Sequence, residues 1–433
     1  MTRARRSGPR TALFAVLTVL TALAPSAAAQ AGAPVACTVP TAVVNVPDTA
    51  LAAAIRAALS LGPSAPITCA AMGTLGRLQA QDAGITDLTG LESATNLTRL
   101  QVRRNNIADL APLAGLTRLD LVDLRNNQIA DANPIRNATS MRYLYLGNNQ
   151  ITDARPLAGL VNLLELDLSF NLLTSGSGVG RLEQLVSLNL RSNQLRDTTF
   201  VLSLLNIDAL DLRSNSIVDL GGLRGMNTLR SLLLGRNQIT DVSPLAGLTS
   251  LEALDLERNT ISSVDRLSGL RALRSLNLNR NQITDISVLR GMTRLESLQL
   301  EQNLVRSVGP LRELVLLTTL NVGGNQVTDV SPLAGLTALT TLNLATSNVT
   351  SLQPLSGMTA LTTLTLSGNA ITDVKVLGAF RQLVTLNLGA NQIADVAPLR
   401  PLVNLEVLYL NGNQVTDVSP LAGLSLLREL RLD

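Results

Sequence analysis

Residues 239–259 read ITDVSPLAGLTSLEALDLERN, and the same pattern returns every 22 residues along most of the chain. Its anchor is asparagine, at Asn105, Asn127, Asn149, Asn171, Asn193, Asn215, Asn237, Asn259, Asn281, Asn303, Asn325, Asn369, Asn391 and Asn413. Ser347 keeps the register inside the one 44-residue gap, and Ala83 keeps it one step before Asn105. A fixed period of this length marks stacked supersecondary units and outranks other signals in the chain. Around Asn237 the apolar residues are Leu229, Leu232 and Leu234, then Ile239, Val242, Leu245 and Leu248. Alternation in the first group reads as a short strand, and the spacing of three in the second reads as 3₁₀ turns. Stacked units of this kind predict an α/β solenoid with a curved parallel sheet on its concave side and short 3₁₀ or helical turns on its convex side.

The polar columns fit the same plan. The chain must bend after each strand, where buried backbone groups need partners, and a stacked side-chain amide supplies both a donor and an acceptor. Twelve registers carry Asp four residues after the asparagine column, as in Asp109, Asp241 and Asp417, and the other four carry Ser. Pro112, Pro134, Pro156, Pro244 and Pro332 follow three positions later. A ladder of carboxylates about 4.8 Å apart has the look of a metal site. Capping of the following turn is the better reading, because Ser replaces Asp freely and Pro suits the first positions of a helical turn. No metal or cofactor is expected.

The first ten residues, MTRARRSGPR, are basic; TALFAVLTVLTALA is apolar, and PSAAAQA is small. That order reads as a secretory signal peptide over residues 1–29. Cleavage after Ala29 removes Arg3, Arg5, Arg6 and Arg10, taking the formal charge from +3 to 3 − 4 = −1. A near-neutral chain without a basic block offers no electrostatic case for nucleic acid or an anionic membrane, and no later apolar run suggests membrane insertion. Cys37 and Cys69 are the only cysteines, and export to an oxidising compartment predicts a disulfide between them. A lipoprotein cleavage site at Val35-Ala36-Cys37 is the weaker alternative, because Pro34 fits it poorly. The chain holds no histidine, which removes Ser-His-Asp and Cys-His triads, so no enzyme is expected.

The stretch ITDVSPLAGLTSLEALDLERN resembles the 22-residue repeat of bacterial internalin-like leucine-rich-repeat proteins, over roughly residues 75–433. VNVPDTALAAAIRAALSLGPSAPIT resembles the helical cap that opens such arrays, with Pro47-Asp48 starting an amphipathic helix of Leu51, Ile55 and Leu59. The implied organisation is a linker and cap over residues 30–74, then a leucine-rich-repeat horseshoe of about 16 to 17 repeats over 75–433. The resemblance implies adhesion or host contact; without the immunoglobulin-like domain and wall-sorting tail common in surface internalins, cell-wall anchoring does not carry over. The chain stops partway through a seventeenth strand, at Leu430, Leu432 and Asp433, so self-association through an uncapped edge is a second expectation.

On such a sheet the positions six, four and two before each asparagine face the concave side. Toward the C-terminus they are bland, as in Thr319, Asn321, Gly323 and Thr341, Asn343, Ala345. In the N-terminal half they carry charge and rings. The candidate contact residues are Arg103, Leu121, Asp123, Arg125, Tyr143, Tyr145, Glu165, Asp167, Phe170, Arg191, Asp211 and Arg213. Tyr143, Tyr145 and Phe170 ringed by Arg and Asp match the composition of a binding hot spot. The competing reading is that the rings cover neighbouring strands and that Phe170 tucks into the turn. A second charged stretch, Arg236, Asp255, Glu257, Arg258, Arg280 and Glu301, interleaves both signs and reads as a solvated face. Ser175-Gly176-Ser177-Gly178 loses a core residue and reads either as a soft joint or as harmless drift. The expected function is an exported protein-binding module, secreted or held in the periplasm or envelope, with an extended glycan as a second class of partner. The alternative is a self-associating envelope scaffold.

Overall fold

The computed structural model describes residues 37–433; the proposed signal peptide and its cleavage point lie outside the described residues. Cys37 is disulfide-bonded to Cys69. Between them runs helix α1 (Thr49–Ala58), and Cys69 opens the short α2 (Cys69–Thr74). Asp48 starts α1 by accepting the Leu51 N–H at 2.9 Å, and its other oxygen accepts the Thr86 N–H at 2.8 Å. One carboxylate thus caps the helix and ties it to the first repeat. Leu51 and Ile55, four apart, are fully buried and cover the open end of the sheet.

Seventeen strands of three residues follow at the 22-residue spacing. They begin with β1 (Arg77–Gln79), β2 (Arg99–Gln101), β3 (Leu121–Asp123) and β4 (Tyr143–Tyr145), then β5 (Glu165–Asp167), β6 (Ser187–Asn189) and β7 (Ala209–Asp211). Later members include β12 (Thr319–Asn321), β13 (Thr341–Asn343), β14 (Thr363–Thr365), β15 (Thr385–Asn387), β16 (Val407–Tyr409) and β17 (Glu429–Arg431). Each strand pairs in parallel with the next in the chain, so Leu232 stands beside Leu254 and Leu254 beside Leu276. Alternation puts the middle residue of β1 to β16 inward, Val122 on β3 and leucine on the others, and Leu229, Leu232, Leu234, Ile239, Val242, Leu245 and Leu248 are all buried. On the far side each repeat makes a 3₁₀ turn such as Ser243–Leu245, with Pro244 supplying the fixed φ.

The asparagine ladder holds successive turns together. Asn237 donates to the carbonyls of Leu234 at 2.9 Å and Leu212 at 3.0 Å, and accepts the Ile217 N–H at 3.0 Å. Each amide therefore serves its own strand end and that of the preceding repeat. At the one interior register without it, the Ser347 hydroxyl reaches only the Ala345 carbonyl, at 3.5 Å. The aspartate column caps as expected: Asp109 accepts the Ala111 N–H and Asp241 the Ser243 N–H, both at 2.8 Å. Its serines do the same, as Ser175 accepts the Ser177 N–H at 3.1 Å.

The Ser175–Gly178 stretch is repacked. Gly176 occupies a core column, and a Cβ there would fall inside the ring of Phe200 from the next repeat, so the phenyl group fills the place of the missing side chain. In the following repeat Thr198 takes the same column; it is fully buried, and its hydroxyl accepts the Gly222 N–H at 3.1 Å.

Candidate functional site

The concave face is built by residues whose neighbours arrive from adjacent repeats at fixed register. Leu121, Tyr143 and Glu165 stand side by side on β3, β4 and β5, and Asp123, Tyr145 and Asp167 form the parallel row. Arg125 lies over the Tyr145 ring, 5.0 Å from its centroid. The Tyr145 hydroxyl donates to Glu165 at 2.7 Å. Burial, with this bond to a carboxylate, holds the phenol well above its usual range, so Tyr145 stays a neutral donor. Arg142 lies over Tyr143 at 5.6 Å, and Arg191 over Phe170 at 5.4 Å. Three ring and guanidinium pairs therefore occupy β3 to β6 and the turns beside them, with the half-buried Leu121 next to Tyr143.

Phe170 does not tuck into the turn. It sits immediately before Asn171, a column that takes a left-handed backbone in every register, and holds φ +52° with 48% of its surface exposed. Most registers put a small or polar residue there; a phenylalanine in that conformation costs roughly 1 kcal/mol or more. Leu172, beside it, is also exposed.

The acidic members of the candidate set behave differently from the expectation. Asp123 is buried, 3% exposed, where the column pattern placed it on the open face. Its two oxygens hold the Arg125 guanidinium at 2.9 and 2.7 Å, and this bidentate grip raises the Arg125 pKa further. Asp123, Asp167 and Asp211 also accept the backbone N–H two residues on, at 3.2, 2.9 and 3.0 Å. Asn189, Asn277, Asn321 and Asn343 make the same bond. The middle column of the face is thus a strand-end cap, which explains its run of Asp and Asn. Asp211 and Arg213 close on one another in the same way and lie three strands from Tyr145.

Arg103 bonds Gln81 at 2.8 Å instead of an acid. The column reading missed Arg142 and Asp120, which lie seven before the asparagine and pair through two bonds of 2.6 and 3.0 Å. A signal was present in that column, where Asp208, Arg230, Glu252, Arg274 and Glu296 alternate in sign and pair across repeats. Within the second charged stretch the acids bond along the face: Glu257 takes the amide of Asn277 and the guanidinium of Arg258, and Glu301 takes the amide of Asn321.

Among the described residues no helix is long and apolar enough to cross a membrane. Leucine-rich-repeat family profiles match residues 228–283 and, as two-copy units, 79–137, 139–175, 271–313, 315–357 and 359–401. No curated protein sequence matches the chain. Among solved structures, an internalin from Listeria monocytogenes is 30% identical over 89% of this chain and 95% of its own, with a TM-score of 0.52. A leucine-rich-repeat protein from Leptospira interrogans is 25% identical over 84% of this chain and 97% of its own, with a TM-score of 0.77. The plant peptide hormone receptor RGFR1, in complex with RGF2, shares the fold at 22% identity over 79% of this chain and 64% of its own, with a TM-score of 0.67. The repeat, its seventeen-strand sheet and these matches together place the chain in the leucine-rich-repeat family, among the bacterial internalin-like proteins.

Proposed function

We propose that this protein is an exported, non-enzymatic recognition module that binds a protein partner on the N-terminal half of its concave face. Leucine-rich-repeat solenoids as a class present extended concave surfaces to partners. The observation that carries the reading is the cluster of Tyr143, Tyr145 and Phe170, each under an arginine and each reachable from solvent. Tyr and Arg dominate binding energy at interfaces because they bring large area with few freely rotating bonds. The Cys37–Cys69 disulfide supports an oxidising destination outside the cytosol, secreted or in the cell envelope.

The test is capture of partners from envelope extracts and host-cell lysates by the wild-type chain and by a Tyr143→Ala/Tyr145→Ala variant of confirmed fold. A protein identified with the first and lost from the second supports the reading. Equal capture by both moves the site elsewhere on the solenoid, and recovery of nothing but the chain itself turns the reading toward a self-associating scaffold.

A further inference from the structure

Arginines on the concave face fall into two groups. Arg125, Arg213 and Arg431 are each neutralised by an acid two residues earlier in the chain, Asp123, Asp211 and Glu429. Arg77, Arg99, Arg103 and Arg191 form no ion pair among the described residues. The first three lie together on and just after β1 and β2, where the position that holds Asp123 on β3 is glutamine. Gln79 and Gln101 bond one another at 2.6 Å and leave the guanidiniums unneutralised. The six concave positions of these two strands contain no acid: Arg77, Gln79, Gln81, Arg99, Gln101 and Arg103. The aromatic cluster adjoins them directly through β3.

We propose that the N-terminal third of the concave face docks an extended, acidic segment of a protein partner, with its carboxylates on Arg77, Arg99 and Arg103 and its apolar side chains on Tyr143, Tyr145 and Phe170. This inference rests on the concave-face reading above and adds the chemistry of the partner. A guanidinium fork matches a carboxylate bidentately, and the neighbouring glutamine amides suit a peptide backbone. A continuous polyanion such as nucleic acid fits poorly, because the carboxylates of Glu165 and Asp167 face it from β5, while Arg125 is already neutralised by the buried Asp123. The negative charge of the partner must therefore end where its apolar part begins. β1 and β2 lie two to three strand spacings from β4, about 10–14 Å, a distance that an extended chain covers in about three to four residues. The recognised motif is accordingly an acidic pair followed at about that separation by an aromatic or branched apolar residue.

The experiment pans a random dodecapeptide library on the full chain, then on an Arg77→Gln/Arg99→Gln/Arg103→Gln variant and on the corresponding triple Lys variant. Selected peptides are synthesised and their affinities measured by fluorescence anisotropy beside a short single-stranded DNA. The expected result is enrichment of acidic pairs with a following apolar residue. Binding should weaken at least about tenfold in the Gln variant, remain largely in the Lys variant, and fall with added salt. Enrichment without acids, no enrichment, unchanged affinity in the Gln variant, or tighter binding of the DNA would each overturn the inference. Peptides that ignore the arginines but need Tyr143 and Tyr145 would leave the concave-face reading standing and remove only the acidic partner. Peptides that need neither would remove both.

Discussion

Two tyrosines four residues before the repeat asparagine column, Tyr145 on β4 and Tyr409 on β16, are held in the same way. Arg125 covers the first ring at 5.0 Å and Arg431 the second at 4.8 Å. Burial and a carboxylate on the following strand, Glu165 for the first and Glu429 for the second, hold both phenols above their usual range. A ring, a guanidinium and a carboxylate on neighbouring strands therefore form a unit that the sheet can use simply to cover itself. What distinguishes the N-terminal copy is its company. Tyr143 lies on the same strand, Leu121 beside it, and Phe170 in a costly backbone conformation close by, while three unneutralised arginines begin two strands away. Between the two tyrosines, β12 to β15 present Thr, Asn and Gly, with amides such as Asn321 and Asn343 turned back on their own strand. The scaffold is continuous, and the cluster of rings and guanidiniums is local.

The largest expected effect breaks that contrast directly. Tyr143→Ala/Tyr145→Ala is expected to weaken partner binding by about 100-fold or more, the range of a hot-spot pair. Thr341→Ala/Thr363→Ala on β13 and β14 should change it less than about twofold. Titration of an identified partner against the two variants checks both numbers.

The scaffold common to both regions should respond to the asparagine rungs wherever they lie. Asn281→Ala strands the Ile261 N–H and the Leu256 and Leu278 carbonyls, each held at 3.0 Å. A loss of about 3 kcal/mol in urea unfolding is expected, since buried groups left without partners cost about 1–3 kcal/mol. Ser347→Asn should do the opposite in the C-terminal half. It restores the missing rung toward Val327, Leu344 and Val322, and a gain of about 1 kcal/mol is expected by the same measurement.

The smallest effect concerns pH. Asp241 is lowered by its backbone and side-chain bonds with Ser243, Asp329 by the same bonds with Ser331, and Asp417 by those with Ser419. A carboxyl lowered in the folded state stabilises it at pH above the unfolded value, about 3.9. That contribution is lost as pH falls through the lower folded values. Replacing all three by alanine should flatten the acid limb of the urea midpoint. Asp255 runs the other way. Burial raises it, so its ionised form is disfavoured in the fold, and Asp255→Asn, which keeps the acceptor for Glu257, should raise the midpoint at pH 7 and lose that advantage in acid.

Much of this architecture was legible in the residues, because a repeat states its geometry many times over. The leucine columns, the asparagine ladder and the Asp and Ser caps each follow from one period and the bonding needs of a bent backbone. The face was only partly legible. Alternation identifies which side a residue leaves the strand, but not whether its side chain folds back, so Asp123 read as open surface and is buried beneath Arg125. Arg142 escaped the reading because it lies just before β4, outside the three alternating positions, and reaches the Tyr143 ring from the N-terminal end of the strand. Gly176 and Phe200 lie 24 residues apart in different columns, and their mutual fit appears only when the repeats are stacked.

The most direct test of a localised concave site is hydroxyl-radical footprinting of the full chain with and without a captured partner, reading Tyr143, Tyr145 and Phe170 against Tyr409. The account predicts protection of the first three and an unchanged rate at Tyr409. Equal protection at both ends, or protection of Tyr409 alone, would contradict it.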